Sequence, residues 1–126
     1  MKQVSLSDGE WKIMNLLWES SPYTIMQLVA KLKDDTGWSK HTIITMLGRL
    51  EAKKAVYYKE GERAKKYYPL IDRAATALEE TNSFLEKVYA GSLGLMLNAF
   101  VGKQNLSQEE RQELYDILKK GQEVEK

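Results

Sequence analysis

The sequence predicts a mostly α-helical protein with one small β-hairpin, in the order three helices, hairpin, three helices. Apolar residues recur at helical spacing along most of the chain, and a serine or threonine precedes four of the segments where a helix would begin. Two β-prone, tyrosine-rich segments around a polar turn interrupt that spacing. With an apolar fraction of 43% and only two prolines in 126 residues, the composition argues against a disordered chain.

Capping residues predict the first two helices. Ser7 and Glu10 have the spacing of a capping box, so the first helix is expected to begin just after Ser7 and to end near Glu19. Thr24, followed three residues later by a glutamine, predicts a second and shorter helix over about residues 25–33.

The third helix and the hairpin follow directly. Ser39 is the expected N-cap of a helix that extends from residue 40 to about residue 53 or 54. Residues 55–59 and 64–68 then read as two strands around the polar turn at residues 60–63. The tyrosines of these strands are expected to pack across the hairpin rather than to stack on bases.

Three more helices are predicted after the hairpin. The first covers about residues 72–91. Residues 92–101 are apolar nearly all round, which predicts a helix buried on more than one side. Ser107 begins another capping box and the last helix, which is expected to end at Gly121.

Three helices followed by a basic hairpin is the order of a winged helix-turn-helix domain. The predicted architecture is therefore a winged-helix DNA-binding domain over residues 1–70, joined to a three-helix dimerisation module over residues 71–126. The formal net charge of +1 hides a local excess, because residues 38–68 hold 8 basic and 3 acidic residues. Such a patch suits an anionic partner, or it is a solvated face.

Several function classes are excluded by what the chain lacks. It has no cysteine and a single histidine, His41, so cysteine-ligated metal sites and thiol chemistry are excluded and a histidine site is disfavoured. A serine triad would need His41, which falls on an exposed helix face, and no phosphate-binding glycine motif occurs. Residues 1–6 lack the long apolar run typical of a signal peptide, and the sequence contains no apolar run that could span a bilayer. We therefore expect a cytoplasmic protein with no cofactor, no metal, no membrane insertion and no enzymatic activity.

The third helix carries the strongest indication of DNA binding. On a helical wheel, Ile43, Leu47 and Leu50 face the core, and the opposite side is small and polar, with Gly48 and Ala52 leaving room for a duplex. The first turn favours a phosphate through its amides and dipole, while the basic hairpin residues have no packing role. The alternative is an ordinary exposed face. The predicted DNA-binding residues are Ser39, Lys40, His41, Thr42, Thr45, Arg49, Lys53, Arg63, Lys65 and Lys66.

The last three helices carry more apolar side chains than so short a segment can cover alone. Symmetric pairing of two copies would bury this surplus, so we expect a homodimer. The residues expected in the dimer contact are Leu78, Leu85, Val88, Leu93, Met96, Leu97, Phe100 and Ile117.

A family pattern runs along nearly the whole chain. In the first part it is carried by Glu10-Trp11, Met14, Leu17-Trp18-Glu19, Thr24, Trp38-Ser39, Thr42, Leu47, Arg49-Leu50 and Tyr68-Pro69-Leu70. It continues through Phe84-Leu85, residues 91–101 and Leu106-Ser107. On these residues the chain resembles the BlaI/MecI penicillinase-repressor family.

The resemblance implies a homodimeric winged-helix repressor that binds inverted repeats of TACA and TGTA elements in operator DNA. Its targets would be genes for a β-lactamase or a low-affinity penicillin-binding protein. It also implies that a membrane sensor acylated by a β-lactam triggers proteolysis within the C-terminal module. The stretch expected to be cut contains Asn98, Ala99 and Phe100; some relatives are cut between Asn and Phe, which Ala99 separates here.

The chain departs from the family pattern at a few positions. His41 stands where the family commonly has lysine, and Ala55 where a glycine usually ends the third helix. The absence of cysteine argues against the metal motif of the copper-responsive relatives. Two alternatives stay open: a repressor of this family with a different inducer and other target genes, and a winged-helix protein-interaction module. The second would more often show exposed aliphatic residues on the third helix and hairpin.

Overall fold

The computed structural model describes residues 4–102 and 106–125 and confirms the predicted order of elements. By their internal contacts, residues 1–80 and residues 81–126 form two compact units. The predicted boundary after residue 70 separates two domains by function, DNA binding and dimerisation, and it stays a prediction. The elements are α1 (Asp8–Glu19), α2 (Ile25–Thr36), α3 (Lys40–Ala52), β1 (Val56–Glu60), β2 (Lys65–Pro69), α4 (Arg73–Tyr89), α5 (Leu93–Gly102) and α6 (Gln108–Glu125).

The predicted capping boxes are present. The Ser7 hydroxyl accepts a hydrogen bond from the amide of Glu10, and a Glu10 carboxylate oxygen accepts one from the amide of Ser7 at 2.8 Å. Thr24 and Gln27 form the same reciprocal pair at the start of α2. Ser107 begins α6 in the same way. Each box satisfies amides that the first turn of a helix leaves without partners.

Two predicted helix ends are wrong. The second helix does not stop near residue 33 but continues to Thr36, whose hydroxyl donates to the carbonyl of Leu32 at 2.8 Å. Gly37 then ends it in the left-handed conformation, at φ +66°, which a residue with a Cβ rarely adopts. The last helix passes through Gly121 and runs to Glu125, because one glycine costs only about 1 kcal/mol in a helix interior.

The core of the first unit lies between the first three helices and the hairpin. Apolar side chains from the inner faces of these elements pack together there, and Ile13, Leu28, Ile43 and Leu50 are fully buried. The prediction that Ile43, Leu47 and Leu50 form the inner face of the third helix is confirmed. This packing fixes α3 with its other side toward solvent.

The hairpin is antiparallel and pairs Tyr57 with Tyr68 and Tyr58 with Tyr67. Tyr23 extends it, because the amide of Tyr67 donates to the carbonyl of Tyr23 at 2.8 Å and the reverse bond measures 3.2 Å. We call the hairpin, β1 and β2 with the connecting residues 61–64, the wing.

The second unit leaves most of its apolar side chains exposed. The expectation that residues 92–101 are buried on more than one side is wrong for the single chain, because no residue of α5 is buried and only Met96 and Leu97 are half-buried. The apolar side chains of Leu93, Leu95, Phe100 and Val101 face solvent.

Candidate nucleic-acid interface

The outer face of α3 is exposed and carries no carboxylate. His41, Thr45, Gly48 and Arg49 are all exposed on this face, and Thr42 is half-buried. A Cβ placed at Gly48 would meet no atom within 4 Å beyond the neighbouring backbone of α3, so no other part of the described chain covers this position. The face is therefore free to approach a flat or convex partner closely.

Hydroxyl groups at the start of α3 are engaged within the helix. The Ser39 hydroxyl accepts a hydrogen bond from the amide of Thr42, and the hydroxyl oxygens of the two residues lie 3.2 Å apart. Thr45 donates its hydroxyl to the carbonyl of His41 at 3.0 Å. These side chains keep lone pairs that can accept, but the donor of Thr45 is used by its own backbone.

The first turn of α3 differs from the starts of α1 and α6 in its charge. Those two helices each carry acidic residues in the first turn, whereas α3 has none and has Lys40 instead. Backbone amides and the helix dipole attract an anion most strongly where no side-chain carboxylate competes. A phosphate group at this end of α3 would meet only favourable charge.

Lys53 has a partner that the sequence does not predict. Its ammonium lies 2.5 Å from Oε1 of Glu10 and donates to the carbonyl of Ser5 at 2.7 Å. Glu10 is 2% exposed, and its other carboxylate oxygen has no hydrogen-bond partner among the described residues. Lys53 thus holds the end of α3 against the start of α1, and its expected contact with DNA stays a prediction.

The pKa of Glu10 is lowered by this arrangement. Burial alone would raise the pKa, but the hydrogen bond and charge of Lys53, together with the Ser7 amide, favour the ionised carboxylate and outweigh it. No pattern of neighbouring residues could have predicted the pair, because 43 positions separate its members in the sequence.

The wing carries cations above aromatic rings. The Lys65 ammonium lies 4.2 Å from the centre of the Tyr58 ring, and Lys59 lies 5.3 Å from that of Tyr68. The pKa of Lys65 is raised, with Tyr58 as the largest cause. Arg63 and Lys66 are exposed as well.

The tyrosines pack across the strands as predicted. The rings of Tyr57 and Tyr68 stack with centres 5.2 Å apart, and Tyr58 meets Tyr67 at 5.6 Å. Tyr67 is buried, and that burial raises the pKa of its phenol. Tyr57 and Tyr58 stay partly exposed beside the cations, so the wing offers both charge and aromatic surface.

The cations predicted to touch DNA are unpaired apart from Lys53. Within residues 4–102 and 106–125, no ion pair joins Lys40, Arg49, Arg63, Lys65 or Lys66 to a carboxylate. Binding a phosphate therefore breaks no existing salt bridge at these positions.

The residues predicted at the dimer contact are mostly exposed in the single chain. Leu85 differs, since it is already buried and gains little from a partner. Met96 and Leu97 are half-buried. The exposed members of the predicted set are Leu78, Val88, Leu93, Phe100 and Ile117.

The stretch expected to be cut lies in α5. Asn98, Ala99 and Phe100 are helical and exposed in the single chain. A protease needs an extended segment, so this part of α5 would have to open before cleavage. Whether the stretch is cut stays a prediction.

Features of other protein classes are weak in the described residues. His41 lies on an open helix face and not in a cleft, and no group of three or more potential metal ligands comes together in residues 4–102 and 106–125. Among those same residues, no helix combines the length and the apolar character that crossing a bilayer requires.

Comparisons with known proteins point to one family. A sequence model described as "Penicillinase repressor" matches residues 6–120. The penicillinase repressor of Bacillus licheniformis is 38% identical over 120 residues, which cover 94% of this chain and 93% of that protein. The methicillin resistance regulatory protein MecI of Staphylococcus aureus is 30% identical over 119 residues, covering 94% and 97%.

Two solved structures resemble part of the chain. The solution structure of the DNA-binding domain of the repressor BlaI matches with a TM-score of 0.53 and 33% identity, over 58% of this chain and 89% of that one. The monomeric form of Bacillus licheniformis BlaI in complex with the blaP half-operator matches with a TM-score of 0.51, the same identity and the same coverage.

Proposed function

Because the chain belongs to the penicillinase repressor family, we propose that it represses a β-lactam-resistance operon by binding an inverted-repeat operator as a homodimer. The family consists of DNA-binding transcriptional repressors, so the chain is a repressor by family and not an enzyme. The target operon, the homodimer and the mode of induction go beyond family membership and are our proposal. Action on operator DNA would place the protein in the cytoplasm.

The observation that carries the proposal is the bare outer face of α3. It joins an exposed polar surface to Arg49 and Lys40, neither of which is paired with a carboxylate among the described residues. Phosphate contacts from such cations supply affinity, and side chains on the exposed face supply sequence discrimination. The solved complex of a relative with a half-operator supports the same use of this unit.

Selection from a random pool of duplexes tests DNA binding and does not require that the operator sequence be known. We expect the full chain to enrich an inverted repeat whose half-sites are separated by about one or more helical turns. Enrichment of no sequence would contradict the proposal and favour a winged-helix protein-interaction module. A repeat unrelated to TACA and TGTA would keep DNA binding but would point to other target genes.

Two substitutions separate base reading from phosphate binding. Arg49→Ala should weaken binding to the selected duplex by about 1–3 kcal/mol and affect a scrambled duplex less. Lys65→Ala should weaken both duplexes alike and lower the salt slope by about one unit per lost phosphate contact. Equal losses on both duplexes for Arg49→Ala would assign that residue to the phosphate backbone.

The second unit supports the homodimer through its exposed apolar residues. Ile117 and Phe100 face solvent in the single chain, which costs free energy that a second copy would recover. Sedimentation of the full chain at micromolar concentration should give a dimer, and Ile117→Asp should shift it toward monomer. Lys119→Asp adds the same group to the same helix away from the apolar set and should leave the dimer intact. A monomeric native chain would overturn this part of the proposal.

Proteolysis in α5 would release the operator because each half of a dimer raises the effective concentration of the other at its half-site. Cutting near Asn98 or Ala99 separates the DNA-binding unit from the end of α5 and from all of α6 without touching a DNA contact. Mass spectrometry of the repressor in cells exposed to a β-lactam should find a fragment that ends near these residues. A full-length repressor in cells whose target gene is switched on would favour a member of this family with a different inducer.

A further inference from the structure

One large apolar side chain of α3 is exposed and does not belong to the hydrophobic core of the first unit. Ile43, Leu47 and Leu50 are buried and Met46 is half-buried, whereas Ile44 is 43% exposed. An exposed isoleucine on a helix is a poor choice for stability, because a β-branched residue is a weaker helix former than alanine or leucine. The stability of the fold therefore does not explain why an isoleucine stands at position 44.

The neighbours of Ile44 along the helix leave it accessible. Lys40 and Gly48 lie four residues before and after it, so the three positions form one row on the helix surface. Lys40 is exposed, and among the described residues no atom outside the neighbouring backbone of α3 lies within 4 Å of where a Cβ on Gly48 would stand. A cation, an apolar group and an open space thus follow each other along the side of α3 that borders its outer face.

Apart from Lys40, hydrogen-bond donors are scarce beside Ile44. The hydroxyl of Thr45 donates to the carbonyl of His41, and those of Ser39 and Thr42 lie within 3.2 Å of each other. Discrimination of bases in this part of the helix therefore depends more on shape and apolar contact than on side-chain donors. In the major groove, the C5-methyl group of thymine is the one apolar group that a base pair presents.

We propose that Ile44 is a specificity-determining residue that reads a thymine methyl group in each half-site of the operator. This inference rests on the proposed DNA-binding function. The χ1 angle of isoleucine is restricted in a helix, so its branched end loses little freedom when it packs against the methyl group. Lys40 on the same row would bind the phosphate backbone and hold the helix in register.

Replacement of thymine by deoxyuridine removes only the methyl group and tests the contact directly. The probe is the duplex enriched by selection, with each thymine of a half-site exchanged in turn in both half-sites. For the native chain, one exchange should weaken binding about fourfold per half-site, the amount expected for one buried methyl-sized group. For Ile44→Ala, the same exchange should leave the dissociation constant unchanged, because the partner of the methyl group is already gone.

Controls separate this contact from other effects of the substitutions. Ile44→Ala should fold, since alanine favours a helix and the side chain removed is exposed. Met26→Ala removes an exposed apolar side chain outside α3 and the wing, and should keep the native sensitivity to deoxyuridine. Thr45→Ser removes the neighbouring methyl group and keeps the hydroxyl.

The outcomes distinguish the inference from the proposed function. Equal deoxyuridine sensitivity in the native chain and in Ile44→Ala, or insensitivity of the native chain at every thymine, would overturn the role of Ile44 while DNA binding stands. If the sensitivity to deoxyuridine is lost only in Thr45→Ser, the methyl contact belongs to Thr45, and this result also overturns the role of Ile44. Enrichment of no duplex at all would refute both the function and the inference.

Discussion

Removing the Lys53 ammonium should destabilise the first unit far more than removing an ordinary surface cation. Lys53→Met keeps most of the side-chain volume and leaves the Glu10 carboxylate buried without its cation. Neither carboxylate oxygen would then face a positive charge, and one of them already has no hydrogen-bond partner among the described residues. The variant tests whether this ion pair holds α1 and α3 together.

The size of the loss follows from the exposure of the two partners. Breaking a fully buried pair costs about 3–5 kcal/mol, and an exposed pair is worth about 0–1 kcal/mol. Glu10 is 2% exposed, but the side chain of Lys53 is 36% exposed, so solvent screens the pair on one side. We therefore expect Lys53→Met to lower the free energy of unfolding by about 2–3 kcal/mol at pH 7.5.

The pH dependence of this loss gives a second test. In the native chain the pKa of Glu10 lies below its ordinary value of 4.5, so the stability it contributes is present above that value and is lost as the pH falls through the lowered pKa. In Lys53→Met the effect of burial remains while the two contributions of Lys53 disappear, so we expect the pKa of Glu10 to rise. In the variant, Glu10 is then protonated at a higher pH than in the native chain. The difference in the free energy of unfolding between the two proteins should therefore be smaller at pH 4.5 than at pH 7.5.

Urea unfolding followed by tryptophan fluorescence measures these changes in the full chain. All three tryptophans, Trp11, Trp18 and Trp38, lie in the first unit and are half-buried against its core, so their signal reports that unit. Lys12→Met is the matched control. Its ammonium lies 2.7 Å from Asp35, but the two side chains are 43% and 58% exposed, so its loss should stay below about 1 kcal/mol. A Lys53→Met loss no larger than the control, or one that grows on acidification, would refute the reasoning.

Other substitutions test single features of the same unit. Gly37→Ala places a Cβ at φ +66° and should lower stability by about 1 kcal/mol in urea unfolding, whereas an unchanged midpoint would contradict the left-handed cap. Gly48→Ala adds a Cβ that meets no described atom within 4 Å beyond the neighbouring backbone of α3, so it should raise stability by about 1 kcal/mol. In a titration it should weaken binding to the selected duplex if DNA approaches the helix closely at this position. Trp18→Phe removes the 2.9 Å bond from Nε1 to the Ile71 carbonyl and should cost about 1 kcal/mol; a neutral outcome would mean that water replaces this bond.

Local signals in the sequence predicted most of the fold. The capping residues Ser7, Thr24, Ser39 and Ser107 act over three positions, so their partners are visible in the sequence itself. Helix ends were predicted less well, because they depend on competing small terms such as the Thr36 hydroxyl bond and the cost of one glycine.

The buried and exposed sides of α3 were predicted from the sequence, but not all contacts of the residues around them. The wheel of α3 separated its buried from its exposed side, since the inner face needs only apolar residues at helical spacing. The pairing of Lys53 with Glu10 could not be predicted, because it depends on how two distant helices meet. The same holds for the cations above Tyr58 and Tyr68, whose geometry is set by the register of the wing.

The exposed apolar residues of the second unit also bear on how long a single chain survives in a cell. An unpaired copy presents Leu93, Phe100 and Val101 to solvent on one short helix. Quality-control proteases and chaperones act on chains that display such surface. Unpaired copies should therefore be degraded faster than paired ones. The protein would then accumulate in the cell only above a threshold rate of synthesis. That threshold is set by the concentration at which two copies meet before one is destroyed.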